Sequence, residues 1–234
     1  MAGILTYTSL LGEGLLITVL VTVLGASLAL ITAFTLGLAR ISRFAPLRIV
    51  GTVLVEVFRG TSLLVLMFWF FFALPFLGIE LVPLAAGVLA LGLNEGSYAA
   101  EIVRSTIQNR PKGQTEACTA LGLSPRHSLW RILLPQSVPA MLPGFGNVLI
   151  DLLKNTSLVS LVTIADLTFR AQMIRATTGE TTAVFLTILV LYFLLSVLAG
   201  MLMKFLERRF ALTRTVPKRR MHVLGETKLK GVSA

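Results

Sequence analysis

The chain has 234 residues, of which 55% are hydrophobic and 14% charged, whereas soluble domains run near 45–50% apolar and about 25% charged. The net charge of +10 does not point to nucleic acid, because the cations flank apolar runs instead of alternating with aromatic residues on a polar face. Cys118 is the single cysteine, which excludes an internal disulfide and a Cys-rich metal site.

Residues 1–14 hold no Lys or Arg, so the positive region of a signal peptide is missing. They are expected to form an external N-terminus. Leu15–Leu38 is free of charge and long enough to cross a hydrocarbon core, which takes about 20 helical residues. Four further spans are expected. The second covers about Ile49–Leu74 and includes Glu56 and Arg59. The third starts near Pro83, a good first-turn residue, and runs past Glu101. The fourth is Val138–Leu158 and the fifth Ala183–Met203. A short outer helix is expected at Thr163–Thr178, with Thr163 as N-cap and Gly179 ending it.

Lys and Arg set the orientation. Arg40, Arg43 and Arg48 lie between the first two spans. Arg104, Arg110, Lys112, Arg126 and Arg131 lie between the third and fourth, and nine more cations follow from Lys204. The other side carries only Arg170 and Arg175. Positive loops stay in the cytoplasm, so the N-terminus is expected outside and the C-terminus inside. The domain plan is an external segment 1–14, a transmembrane unit 15–210 and a basic cytoplasmic tail 211–234, which could act as a stop-transfer flank or bind anionic lipid.

Between the third and fourth spans lies Gly113–Gln136, GQTEACTALGLSPRHSLWRILLPQ. It reads as two short helices outside the bilayer. The first carries Glu116, Ala117 and Cys118, and Gly122 ends it in a left-handed turn. Ser124 caps the second, Pro125 takes its first position, and Leu129, Ile132 and Leu133 form an apolar stripe. Pro135 is expected to break the chain at re-entry into the membrane.

Ionisable residues inside spans are costly and tend to mark a path or a partner contact. Glu56 and Arg59 can share a helix face and pair, and so can Asp151 and Lys154; each pair is either structural or part of a substrate path or gate. Asn94 and Glu95 interrupt an apolar span near mid-depth. Glu95 is either an inter-helix hydrogen-bonding group or the acceptor for a cationic substrate.

Glu116-Ala117-Cys118, Gly122, Ile132, Leu134 and Pro135 resemble the "EAA" loop of ABC importer permeases, with Cys118 in place of the usual second alanine. Glu56–Thr61, Tyr98–Arg104, Gly113-Gln114 and Lys154–Leu158 are similar to the polar amino-acid uptake branch, except that Ser62 stands where that branch often has proline. The resemblance implies an all-α membrane protein with the type I ABC importer permease fold, working by alternating access in a bacterial cytoplasmic membrane. It implies a coupling loop at 113–136 that seats on a cytoplasmic ABC ATPase dimer, a second permease subunit, identical or related, and an external solute-binding protein. The branch implies a small polar or zwitterionic, amino-acid-like solute; Glu95 with Asn94 could take its cationic part, and Lys154 with Asn155 or Thr156 its carboxylate. The stretches Phe68–Pro83 and Lys154–Thr181 are similar to the ectoine and hydroxyectoine branch. No Gly-x-x-x-x-Gly-Lys-Ser/Thr loop is present, so ATP and magnesium are expected on the partner chain and no cofactor on this one. A stand-alone secondary transporter or channel is the rival reading; it does not require the loop.

Overall fold

A computed structural model describes residues 7–210, apart from the side chain of Lys112. The tail 211–234 lies outside the described residues. Every element among them is helical. α1 is Thr8–Arg40, α2 Ala45–Gly60, α3 Leu63–Phe68, α4 Pro83–Gln108, α5 Lys112–Ala120, α6 Pro125–His127, α7 Leu134–Asn155, α8 Leu167–Thr178 and α9 Thr181–Phe210.

At 33 residues, α1 is about 50 Å long. It begins at Thr8, so residues 8–14, assigned to the external N-terminus, are its first two turns. By length and apolar composition three described segments can cross a membrane: α1, the run Pro125–Val162, and α9. The bent pair Ala45–Gly60 and Leu63–Leu77 makes a fourth if counted as one span. The third expected span, α4, has 26 residues, enough to cross, but Asn94, Glu95, Glu101 and Arg104 dilute its apolar character. Its polar middle is covered by protein: Asn94 and Glu95 are each 5% exposed.

Close packing places α4. α1 presents Gly25, Ala29, Ala33 and Gly37 at four-residue spacing, all buried. α4 answers with Gly92, Gly96 and Ala100. In a membrane, helices gain little from burying apolar surface, so small residues that let backbones approach supply the packing. One buried cluster joins Val21, Leu91, Leu152 and Val159, and a second joins Ala33, Val103, Met141 and Phe145. α9 exposes Phe185, Leu189, Phe193, Val197 and Phe205, the composition of a lipid-facing or subunit-facing helix.

The second span is broken, not straight. α2 and the run Leu63–Leu77 meet at 102° although Ser62 replaces the proline that would force a kink. The break is held from α4: Asn94 Nδ2 donates to the carbonyls of Phe58 at 2.7 Å and Thr61 at 3.3 Å, and Tyr98 Oη donates to Arg59 O at 3.3 Å. Helix-end carbonyls buried in a membrane protein need such partners.

Pro135 does not break the chain. The helix continues through a π-helical turn at Ser128–Leu133, in which Leu134 N donates to Leu129 O, five residues back. The wider turn shifts the hydrogen-bond ladder ahead of the missing proline N–H. The outer helix begins later than expected. Thr163 has φ 64° and ends the preceding 3₁₀ turn, while Asp166 is the N-cap of α8, its Oδ1 accepting from Phe169 N at 2.9 Å. Gly179, at φ 72°, ends α8 as expected.

Candidate functional site

The break in the second span opens a cavity of about 770 Å³. Arg59–Leu63 form one wall, Asn94, Glu95, Tyr98 and Ile102 of α4 the second, and Gly144, Asn147, Val148, Asp151, Lys154 and Asn155 of α7 the third. Six of the eight expected path residues therefore meet here: Arg59, Asn94, Glu95, Asp151, Lys154 and Asn155.

Glu56 and Thr156 are not among them. The expected Glu56–Arg59 pair does not form. Glu56 lies 3.7 Å from Arg40 of α1, and Arg59 instead stands over the ring of Tyr98 at 5.4 Å, a cation–π distance. Both residues lie on α2 before the break; Arg40 of α1 draws Glu56, and the ring of Tyr98 on α4 takes Arg59. Thr156 is fully buried, and its hydroxyl donates to Leu153 O at 2.7 Å.

Inside the cavity the charges have unequal freedom. Glu95 accepts from Asn155 Nδ2 at 2.7 Å, so it does make an inter-helix contact, and it also lines the open space. Asn94 is spent on the carbonyls of the break; it builds the wall. Asp151 and Lys154 sit 4.0 Å apart with side chains 64% and 58% exposed, a loose pair that a ligand can open at little cost. Their cavity face also carries Asn147, four residues before Asp151. Asn147 and Tyr98 were not singled out as path residues from sequence, yet both follow from helical spacing: Tyr98 is three residues beyond Glu95.

At the other end of α4, α5 carries Glu116, Ala117 and Cys118. It closes with Gly122 N donating to Thr119 O at 2.9 Å and Leu123 N to Cys118 O at 3.0 Å, with Gly122 at φ 70°. That is a Schellman end. Ser124 Oγ accepts from His127 N at 3.3 Å, capping α6 as the sequence suggests. The hairpin is held on the bundle by Arg110, whose Nη1 donates to Gln114 at 2.9 Å and Gln136 at 2.8 Å. Cys118 faces inward at 5% exposure, while Leu121 is 76% exposed. Ile132, Leu134 and Pro135 lie on the rising helix behind it.

Residues 25–212 match the family described as the binding-protein-dependent transport system inner membrane component. The chain belongs to this family. The permease is 42% identical over 207 residues to the probable amino-acid ABC transporter permease protein y4tF of Sinorhizobium fredii, covering 86% of this chain and 87% of the relative. It is 35% identical to the L-cystine transport system permease protein TcyB of Bacillus subtilis, over 87% and 88% of the two chains. Its fold is similar to a solved amino acid ABC transporter described with histidines, with a TM-score of 0.82 and 32% identity over 88% of this chain and 96% of that one. The inward-facing MetNI methionine ABC transporter shares the fold at a TM-score of 0.76 and 22% identity, over 89% and 99%. The permease is thus the non-catalytic, multi-pass inner-membrane subunit of an ATP-driven importer. The family works with a separate ATPase and a solute-binding protein.

Proposed function

We propose that the permease imports a small zwitterionic, amino-acid-like solute through the cavity at the broken second span, by alternating access. One observation carries the reading: a cavity of about 770 Å³ holding Glu95 and Asp151 as acceptors and Arg59 and Lys154 as donors. A zwitterion needs both signs, and a site that supplies both discriminates against sugars and simple ions, which match at most one of them. The names of the relatives, amino-acid and L-cystine permeases, agree with this class. Within it, the likeness of Phe68–Pro83 and Lys154–Thr181 to the ectoine-uptake branch makes ectoine and hydroxyectoine the first solutes to try.

The hairpin with Glu116, Ala117 and Gly122, with Cys118 packed on its inner side and Ile132, Leu134 and Pro135 behind it, is the docking surface for the ATPase. ATP and magnesium bind on that partner, two ATPases serving a pair of permeases, identical or related. The hairpin end and the C-terminus face the cytoplasm, and the N-terminus lies outside.

Glu95→Gln tests the cavity reading. Glutamine keeps an oxygen for Asn155 but removes the charge. Uptake of the zwitterion should fall at least about tenfold, the loss of roughly 1.4 kcal/mol of a charged contact, with assembly intact. Unchanged uptake and an unchanged order of preference among amino acids, ectoine and hydroxyectoine would make Glu95 a purely structural residue.

A further inference from the structure

A second polar site lies at the hairpin end of the bundle, on the outer flank of α2. There Arg40 of α1, Arg48 and Ile49 with Val53 of α2, and Arg104 with Gln108 of α4 line a groove of about 350 Å³. Two of its three guanidinium groups are engaged. Arg40 Nη1 donates to Glu101 Oε2 at 2.7 Å, with Glu56 3.7 Å from its Nη2, and Arg104 pairs with Glu101 and with Gln108. Three cations therefore meet two carboxylates. The surplus is Arg48, whose side chain makes no ion pair or hydrogen bond among the described residues.

Arg48 is also misplaced for its helix. It stands in the first turn of α2, where the macrodipole is positive and carboxylates are favoured. That turn holds no acidic residue, and the N-cap, Phe44, offers no side-chain acceptor. The exposed cation in the groove is therefore left without an anion of its own. Gln108 gives its amide oxygen to Arg104, which leaves its amide N–H groups as further donors.

The groove does not end in polar surface. Ile49 is 60% and Val53 55% exposed on its wall, and Val50 and Val57 extend the apolar face along α2 at 55% and 53%. A free phosphate would satisfy the cations and leave this face bare. An amphiphile satisfies both.

We propose that this groove binds the headgroup phosphate of an anionic phospholipid, with the acyl chains laid along the exposed face of α2. The lipid neutralises Arg48. Through Arg40 and Glu101 it also braces the half of the broken span that walls the transport cavity.

The test uses the purified permease in nanodiscs of phosphatidylcholine doped with spin-labelled phosphatidylglycerol, in both leaflets, so that the result does not depend on which way round the permease sits. A motionally restricted fraction should appear with the wild type. Arg48→Gln should weaken its affinity about fivefold, the share of one cation at a membrane surface. Arg43→Gln makes the same charge change without touching the groove and should leave the affinity unaltered. Adding inorganic phosphate at millimolar concentration should displace nothing. An equal effect of both substitutions would mean diffuse attraction and no site. Displacement by phosphate would mean a free-anion site, and absence of a restricted fraction in the wild type would remove the proposal altogether.

Discussion

Gly96→Val is expected to prevent the permease from accumulating as a folded protein. A Cβ at Gly96 would stand 2.6 Å from Thr32 Cβ and 3.0 Å from the backbone oxygen of Ala29. Those are the stem of a buried side chain and a helix backbone, and neither can swing aside. α1 must then move off α4 along the whole stripe of small residues, which costs about 3 kcal/mol, a large share of the 5–15 kcal/mol typical of proteins in general. Gly12→Ala is the matched control: nothing lies within 4 Å of a Cβ there, and the level of folded protein should not change. Detergent-extracted, monodisperse protein measured for both variants separates the cases. Wild-type amounts of the Gly96 variant would show that α1 and α4 do not pack as described.

Gly122→Val is expected to leave the bundle assembled and to uncouple it. Nothing lies within 4 Å of a Cβ at this position, so the change is not steric. The strain is in the backbone. At φ 70° a residue with a Cβ pays roughly 1–2 kcal/mol, and a β-branched one fits worst. The Schellman end would open, and Glu116 and Leu121 would lose their fixed bearing on the ATPase. Membrane insertion and the amount of protein should be near normal. Solute-stimulated ATP hydrolysis in the complex should drop about tenfold, with the ATPase's basal rate retained. Full stimulation in a well-expressed variant would mean that the turn is not part of the coupling surface.

The parts of this fold that are local in sequence were legible there. The apolar runs located α1, α7 and α9, and the turn at Gly122 and the caps at Ser124 and Gly179 followed from residue type alone. Charge spacing on α4 and α7 found most of the cavity. What failed depended on partners distant in the chain. Glu56 and Arg59 satisfy the i, i+3 rule, but Arg40 of α1 and Tyr98 of α4, distant in the chain, take the two side chains instead. The break itself has no proline to announce it; it is held by Asn94 and Tyr98, more than 30 positions away, which donate to its carbonyls. Pro135 misled in the opposite sense, since a π-helical turn absorbs it. Thr163 looked like a cap by residue type, and Asp166 took that place because its carboxylate reaches both Phe169 N and, at 3.1 Å, the hydroxyl of Tyr192 on α9.

The central claim is that the cavity and the hairpin belong to one pump: solute passes at the broken span only when a partner ATPase works at the hairpin. The direct measurement is uptake of a labelled amino acid or ectoine into vesicles holding the permease with its ATPase, the solute-binding protein being supplied outside. ATP is placed either on the hairpin side or on the opposite side. The account predicts accumulation against a gradient with ATP on the hairpin side only, competition by other zwitterions, and none by sugars. Downhill passage of the solute without ATP hydrolysis, or uptake that needs no ATPase chain, would contradict it and make the permease a carrier or channel in its own right.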